Sequence, residues 1–159
     1  MKPVIGTFLL GLTLATPACA RVVTPVEGPK LVLTGVGRFA VLADLSTIVR
    51  NGDAVRMRSL QVTEDNFNVS GQTYWGGWSW WAFDCRAGIA DRLDFAAVRD
   101  DGTEGPATPD QEPAWPAAPG GDAAELLAVA CDPAAAGEAD ADNLEDAVRV
   151  GRAALRLAD

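Results

Sequence analysis

The chain has 159 residues, 48% of them hydrophobic, with 13 Lys and Arg against 22 Asp and Glu and a formal charge of −9. That length and composition fit one globular domain rather than a disordered chain, and the acidic balance disfavours nucleic acid and anionic membrane surfaces as partners. There is no histidine, which excludes Ser-His-Asp and Cys-His nucleophiles and most catalytic zinc or copper sites.

Met1-Lys2-Pro3 is followed by an apolar stretch from Val4 to Ala15 and by small residues at Ala18 and Ala20. One positive charge, a short apolar core and an A-x-A site predict a signal peptide, residues 1–20, cut after Ala20. The core is too short to span a bilayer as a mature helix. Cys19 offers a second reading, a lipidated lipoprotein cysteine. Ala18 fits that pattern, but Thr16 and Pro17 do not. The expected location is therefore periplasmic or cell-surface, with no transmembrane helix in the mature chain.

Residues 21–29, with two prolines, read as an extended leader. Lys30–Thr34 and Arg38–Ala43 read as a strand pair joined through Gly35-Val36-Gly37. Asp44–Ile48 reads as a single capped helical turn, and Asn51-Gly52-Asp53 as a turn. Ala54–Val62 alternates. Val55, Met57, Leu60 and Val62 nearly share one face, with a slip near Ser59, and Arg56 and Arg58 face water. Tyr74–Cys85 is an aromatic strand. Ile89–Arg99 is its hairpin partner, and Asp100-Asp101-Gly102 stops it. The proline-rich stretch 103–121 reads as a surface loop anchored by Trp115.

Asp122–Ala130 reads as a helix with Asp122 as N-cap and Leu126, Leu127 and Ala130 inward. Residues 133–140 read as a linker. A C-terminal helix then starts at Asp140 or Asp142 and runs to Leu157. Leu144, Val148, Gly151, Leu155 and Ala158 recur at helical spacing, and the linker predicts a helix packed loosely or not at all.

Two cysteines follow the signal. Cys85 ends the aromatic strand and Cys131 ends the first helix. In an exported domain such a pair reads as one structural disulfide. Closing a loop of about 46 residues, it contributes roughly 4 kcal/mol on the chain-entropy account. If Cys85 points inward, Trp81 and Phe83 share its face, while Trp78 and Trp80 lie opposite with Asp84. Two readings of Trp78 and Trp80 follow. A loop, the tail helix or a second layer covers them, or they form a homodimer interface or ligand platform.

Glu138, Asp140 and Asp142 resemble a calcium loop only faintly, and a helix N-terminus explains them. Asn68-Val69-Ser70 matches a glycosylation acceptor but reads here as a loop. Asp100-Asp101 reads as turn chemistry. No cofactor, metal or catalytic residue is expected.

The series Asp44-Leu45-Ser46, Arg50-Asn51-Gly52-Asp53, Val55-Arg56-Met57, Phe83-Asp84-Cys85, Trp115-Pro116 and Ala130-Cys131 resembles the surface-adhesin protein E-like family, small exported bacterial domains. The resemblance covers about Lys30 to Asp132 and leaves out the tail. It implies an antiparallel sheet with a packed helix and a Cys85–Cys131 bridge. The family's named member is a surface adhesin for host matrix and plasma proteins, an activity attributed to Lys-bearing surfaces. Here Lys30 is the one lysine beyond the signal, so that activity is not carried over.

The expected architecture is α+β. About five antiparallel strands and a disulfide-linked helix occupy 30–132, and a linker and C-terminal helix occupy 133–159. The expected function is a non-catalytic exported binding or envelope-associated domain. The alternatives are a structural envelope protein, or a small hydrolase using carboxylates such as Asp84 or Asp94.

Overall fold

The computed structural model describes residues 28–158. The signal segment, Cys19 and the leader up to Glu27 lie outside the described residues. Four strands run in meander order: β1 (Leu31–Val36), β2 (Ala40–Asn51), β3 (Ala54–Val69) and β4 (Gln72–Asp84). On the far side of β4 lie β5 (Ile89–Arg92) and β6 (Asp94–Arg99), followed by two-residue strands β7 (Thr108–Pro109) and β8 (Trp115–Pro116). All pairings are antiparallel, in the order β1-β2-β3-β4-β5-β8, with β6 beside the first half of β4 and β7 beside β6. Helices α1 (Asp122–Cys131) and α2 (Leu144–Ala158) complete an α+β domain.

The turns follow their chemistry. Gly52 has φ +62° between β2 and β3, and Ser70 and Gly71 have φ +53° and +81° between β3 and β4. Two successive positive φ values give the hairpin twist that matches the flanking strands. Ile89–Arg99 does pair along β4 as one partner, interrupted at Leu93. There Leu93 N–H donates to the Trp80 carbonyl and Trp80 N–H to the Asp94 carboxylate, both at 2.8 Å.

The slip expected near Ser59 does not exist. Residues 54–62 of β3 pair with β4 without a break, and Ser59 lies opposite Ser79. Val55 and Met57 therefore bury on one face and Leu60 and Val62 on the other. The reason is tertiary. Helix α1 covers one face at the end of the sheet holding Val55, Met57, Trp81 and Phe83. Helix α2 covers the opposite face at the other end, over Leu60, Val62, Trp78 and Val98. The two helices sit diagonally across one sheet, and the apolar parity of β3 and β4 switches at the Ser59–Ser79 pair.

Three further expectations are corrected. Asp44–Ile48 is not a helical turn but an irregular part of β2, where the register shifts between Asp44 and Val49. The buried Asp44 carboxylate accepts from the N–H groups of Lys30 and Ser46 and from the Ser46 hydroxyl, replacing the missing ladder partners. The α1 N-cap is Gly121, with Asp122 already in the first turn. Helix α2 is capped by Asn143, whose side chain accepts from Asp146 N–H at 2.9 Å.

Helix α2 also packs firmly, contrary to the expectation of a loose tail. Ala147, Val148, Gly151 and Leu155 are buried. A Cβ on Gly151 would stand 3.1 Å from the Cβ atoms of Ala40 and Val62, a tight contact that the glycine avoids where the helix meets the sheet. The segment before it is strapped to the edge of β1, where Leu31 N–H donates to Ala141 O and Leu33 N–H to the Asp140 carboxylate, both at 2.8 Å.

Candidate functional site

The predicted disulfide is present. Cys85 and Cys131 are bonded with Cα atoms 5.6 Å apart, inside the usual range. Arg50 of β2 reaches over the bridge and donates to the carbonyls of Ala130 and Cys131, at 3.0 and 2.7 Å. A guanidinium at the C-terminal end of α1 matches the helix dipole and satisfies carbonyls that lack helical partners.

The diagonal arrangement leaves half of each sheet face without a helix. On the face of α2, Trp80 lies in the uncovered half, while Trp78 reaches beneath the helix. Trp78 is 7% exposed and belongs to the core beneath α2. Trp80 is half-buried. The Arg58 guanidinium lies 4.5 Å from the Trp78 ring centre and 6.0 Å from that of Trp80, and Arg56 lies 5.2 Å from Trp80. Arg58 is further ion-paired with Glu104. The chain's own arginines thus stack favourably on both indoles. The exposed remainder of this patch belongs to Trp80.

The uncovered half on the α1 side is different. It forms a trough in two compartments that share Gln61. The first, about 370 Å³, opens at the N-terminal end of α1. It is lined by Ser59, Trp81, Arg92 and Trp115. Trp81 donates through Nε1 to Ser59 Oγ at 2.9 Å and packs edge-on to Trp115 at 6.0 Å. Arg92 is held by Asp110 at 2.5 Å. The N–H of Glu112, and then Arg92, hold the Asp110 carboxyl below the usual carboxylate range.

The second compartment, about 130 Å³, is apolar. Phe39, Phe67 and Phe95 stand around a floor made by Gly76 and Gly77. At Gly76 the backbone leaves no room for a side chain, and at Gly77 a side chain would displace Phe95. A Cβ on Gly76 (φ +156°) would meet the Gln61 carbonyl at 1.9 Å, and one on Gly77 would meet the Phe95 ring at 2.2 Å. Phe67 and Phe95 are 39% and 37% exposed, and Phe67 stacks on Tyr74 at 5.4 Å.

This phenylalanine compartment was not read from the sequence. Its three rings come from β2's leading edge, the β3 hairpin tip and β6, so no spacing links them. The one signal was Gly76-Gly77 inside a strand, which marks close approach to a backbone or ring.

The two carboxylates considered for hydrolysis do not converge. Asp84 accepts from the N–H groups of Arg86 and Ala87 in the hairpin turn after β4. Asp94 accepts from Trp80 N–H. Asp101 is occupied by the hydroxyl and N–H of Thr103, which lower its pKa. Among the described residues, no cluster of three or more acidic or cysteine side chains could hold a metal ion, and no helix is long and apolar enough to cross a membrane.

Comparison with known protein families, with curated proteins and with solved structures yields no match for this chain.

Proposed function

We propose that this chain is an exported, non-catalytic binding domain whose recognition face is the trough beside α1. The observation that carries the reading is the Phe39–Phe67–Phe95 compartment, because two of its rings stay more than a third exposed in a domain that buries its other apolar clusters under helices. At about 130 Å³ it is well below the roughly 300–1,000 Å³ of small-molecule sites. It fits one apolar side chain of a protein partner instead.

Binding on a face rather than at a sheet edge is consistent with the edges. Residues 140–141 strap β1, and β6 is covered by the Glu104 bridge to Val98 and by β7, which blunts strand addition. Export is part of the same proposal. It rests on the N-terminal sequence and on a disulfide of the kind that persists outside the cytosol. Membership of the adhesin E-like family rests on the sequence pattern alone.

The test compares capture from envelope extract and host matrix by the wild-type chain, by Phe67→Ser with Phe95→Ser, and by Trp80→Ala. The expected result is a partner held by the wild type and by Trp80→Ala but lost by the folded phenylalanine variant. Retention by that variant moves the binding face elsewhere. If the folded wild type captures nothing, the structural-envelope reading replaces this one.

A further inference from the structure

A second groove, separate from the trough, lies along the outer flank of α2. At about 500 Å³ it is the roomiest of the cavities described here, and it falls within the range of ligand sites. Its apolar lining is Trp75 and Val148.

Its charges are sorted by position. Glu145 stands in the first turn of α2, and Asp100 and Asp101 approach the same end from the turn after β6. The neighbouring Gly102 places that turn, since a Cβ there would lie 3.6 Å from Leu144. Arg149, Arg152 and Arg156 line the groove towards the other end. That end is held in place. Arg152 donates to the Thr63 carbonyl at 3.2 Å and to Asn66 at 2.6 Å, and Arg156 lies 3.5 Å from Asp65.

The helix dipole alone accounts for acids early and bases late within α2. It does not account for Asp100, brought to the acidic end from the turn after β6 beside an Asp101 that Thr103 takes up, nor for an aromatic floor between the poles. From Glu145 to Arg156 the helix rises about 16 Å. We infer that this groove binds a short extended peptide segment of ordered charge, its cationic residue at Asp100 and Glu145 and its anionic residue at Arg152 and Arg156. Five extended residues span about 16 Å, and complementary charge fixes their direction.

The probes are two blocked peptides of identical composition, Lys-Ala-Ala-Ala-Glu and its reverse, Glu-Ala-Ala-Ala-Lys. They are titrated into the full chain at low salt while the Trp75 indole N–H resonance is followed, assigned with Trp75→Phe. The expected result is a shift of that resonance by one peptide order and an affinity about tenfold weaker for the other. Glu145→Gln with Arg156→Gln, both exposed, should abolish the preference without lowering the melting temperature by more than a few degrees. Equal response to both orders, or no response at millimolar peptide, overturns the inference. The phenylalanine trough is untouched by these substitutions, so the two proposals fail separately.

Discussion

The two helices cover opposite faces of one sheet, and they are held in different ways. Helix α1 has ten residues, of which only Leu126 and Ala130 are buried. It has no side-chain N-cap and no basic residue in its last turn. What it lacks is supplied from elsewhere by the Cys85–Cys131 bond and by Arg50. Helix α2 has fifteen residues, four of them buried, its own Asn143 cap and a glycine seated on Ala40 and Val62. A short helix with little apolar surface cannot repay its ordering entropy alone. A longer amphipathic one can, and it carries no covalent tie.

The strongest way to break this contrast is to replace both cysteines with serine. The loss should be about 4 kcal/mol in denaturant unfolding, and amide exchange should rise earlier in 122–131 than in 144–158. Equal loosening of both helices would show that the bond steadies the whole sheet rather than α1. Next in size is Gly151→Leu, which drives a branched side chain into the contact of α2 with Ala40 and Val62. Overpacking there should cost about 1–3 kcal/mol, read as a lower denaturation midpoint, with exchange rising in α2 and not in α1.

The smallest expected effect sharpens the contrast through pH. Arg149, then the Asn143 amide, hold the Asp146 carboxyl below its ordinary value. A depressed folded pKa stabilises above the unfolded value of about 3.9 and loses that contribution as pH falls through the folded one. Protection of the first turn of α2 should therefore fall below about pH 4. The contact of Arg50 with the end of α1 is made to backbone carbonyls and involves no carboxylate. Exchange measured from pH 5 to pH 3 should separate the two ends. Parallel loss at both would remove the cap as the cause.

Much of the framework was legible because it is written locally. Asn51-Gly52 marks a hairpin, the Tyr74–Cys85 run marks a strand, and the 3.6-residue spacing of Leu144, Val148, Gly151 and Leu155 marks a helix. The staple was legible from where its cysteines fall. The alternation of β3 misled for a physical reason. Val55 and Met57 against Leu60 and Val62 looked like one face with a slip, because a half-buried strand normally keeps one parity. Here the burial side changes along an unbroken strand.

The fate of the tryptophans shows the same limit. Period-two alternation put Trp78 and Trp80 on the face away from Cys85, and that is where they lie. Whether they were covered depended on α2 and on Arg56 and Arg58, which are remote or on another strand.

The sequence by itself determined the long strands, both helices and which strand residues alternate, since each depends on neighbours within a turn or a pleat, while Asp44–Ile48 and the short strands within 103–121 took their form from pairing partners. Only the tertiary structure decided which side of the sheet each helix takes. That choice alone leaves Phe39, Phe67 and Phe95 open and closes Trp78. Burial is a property of what docks on a face, and a face drawn from several strands has no local signature.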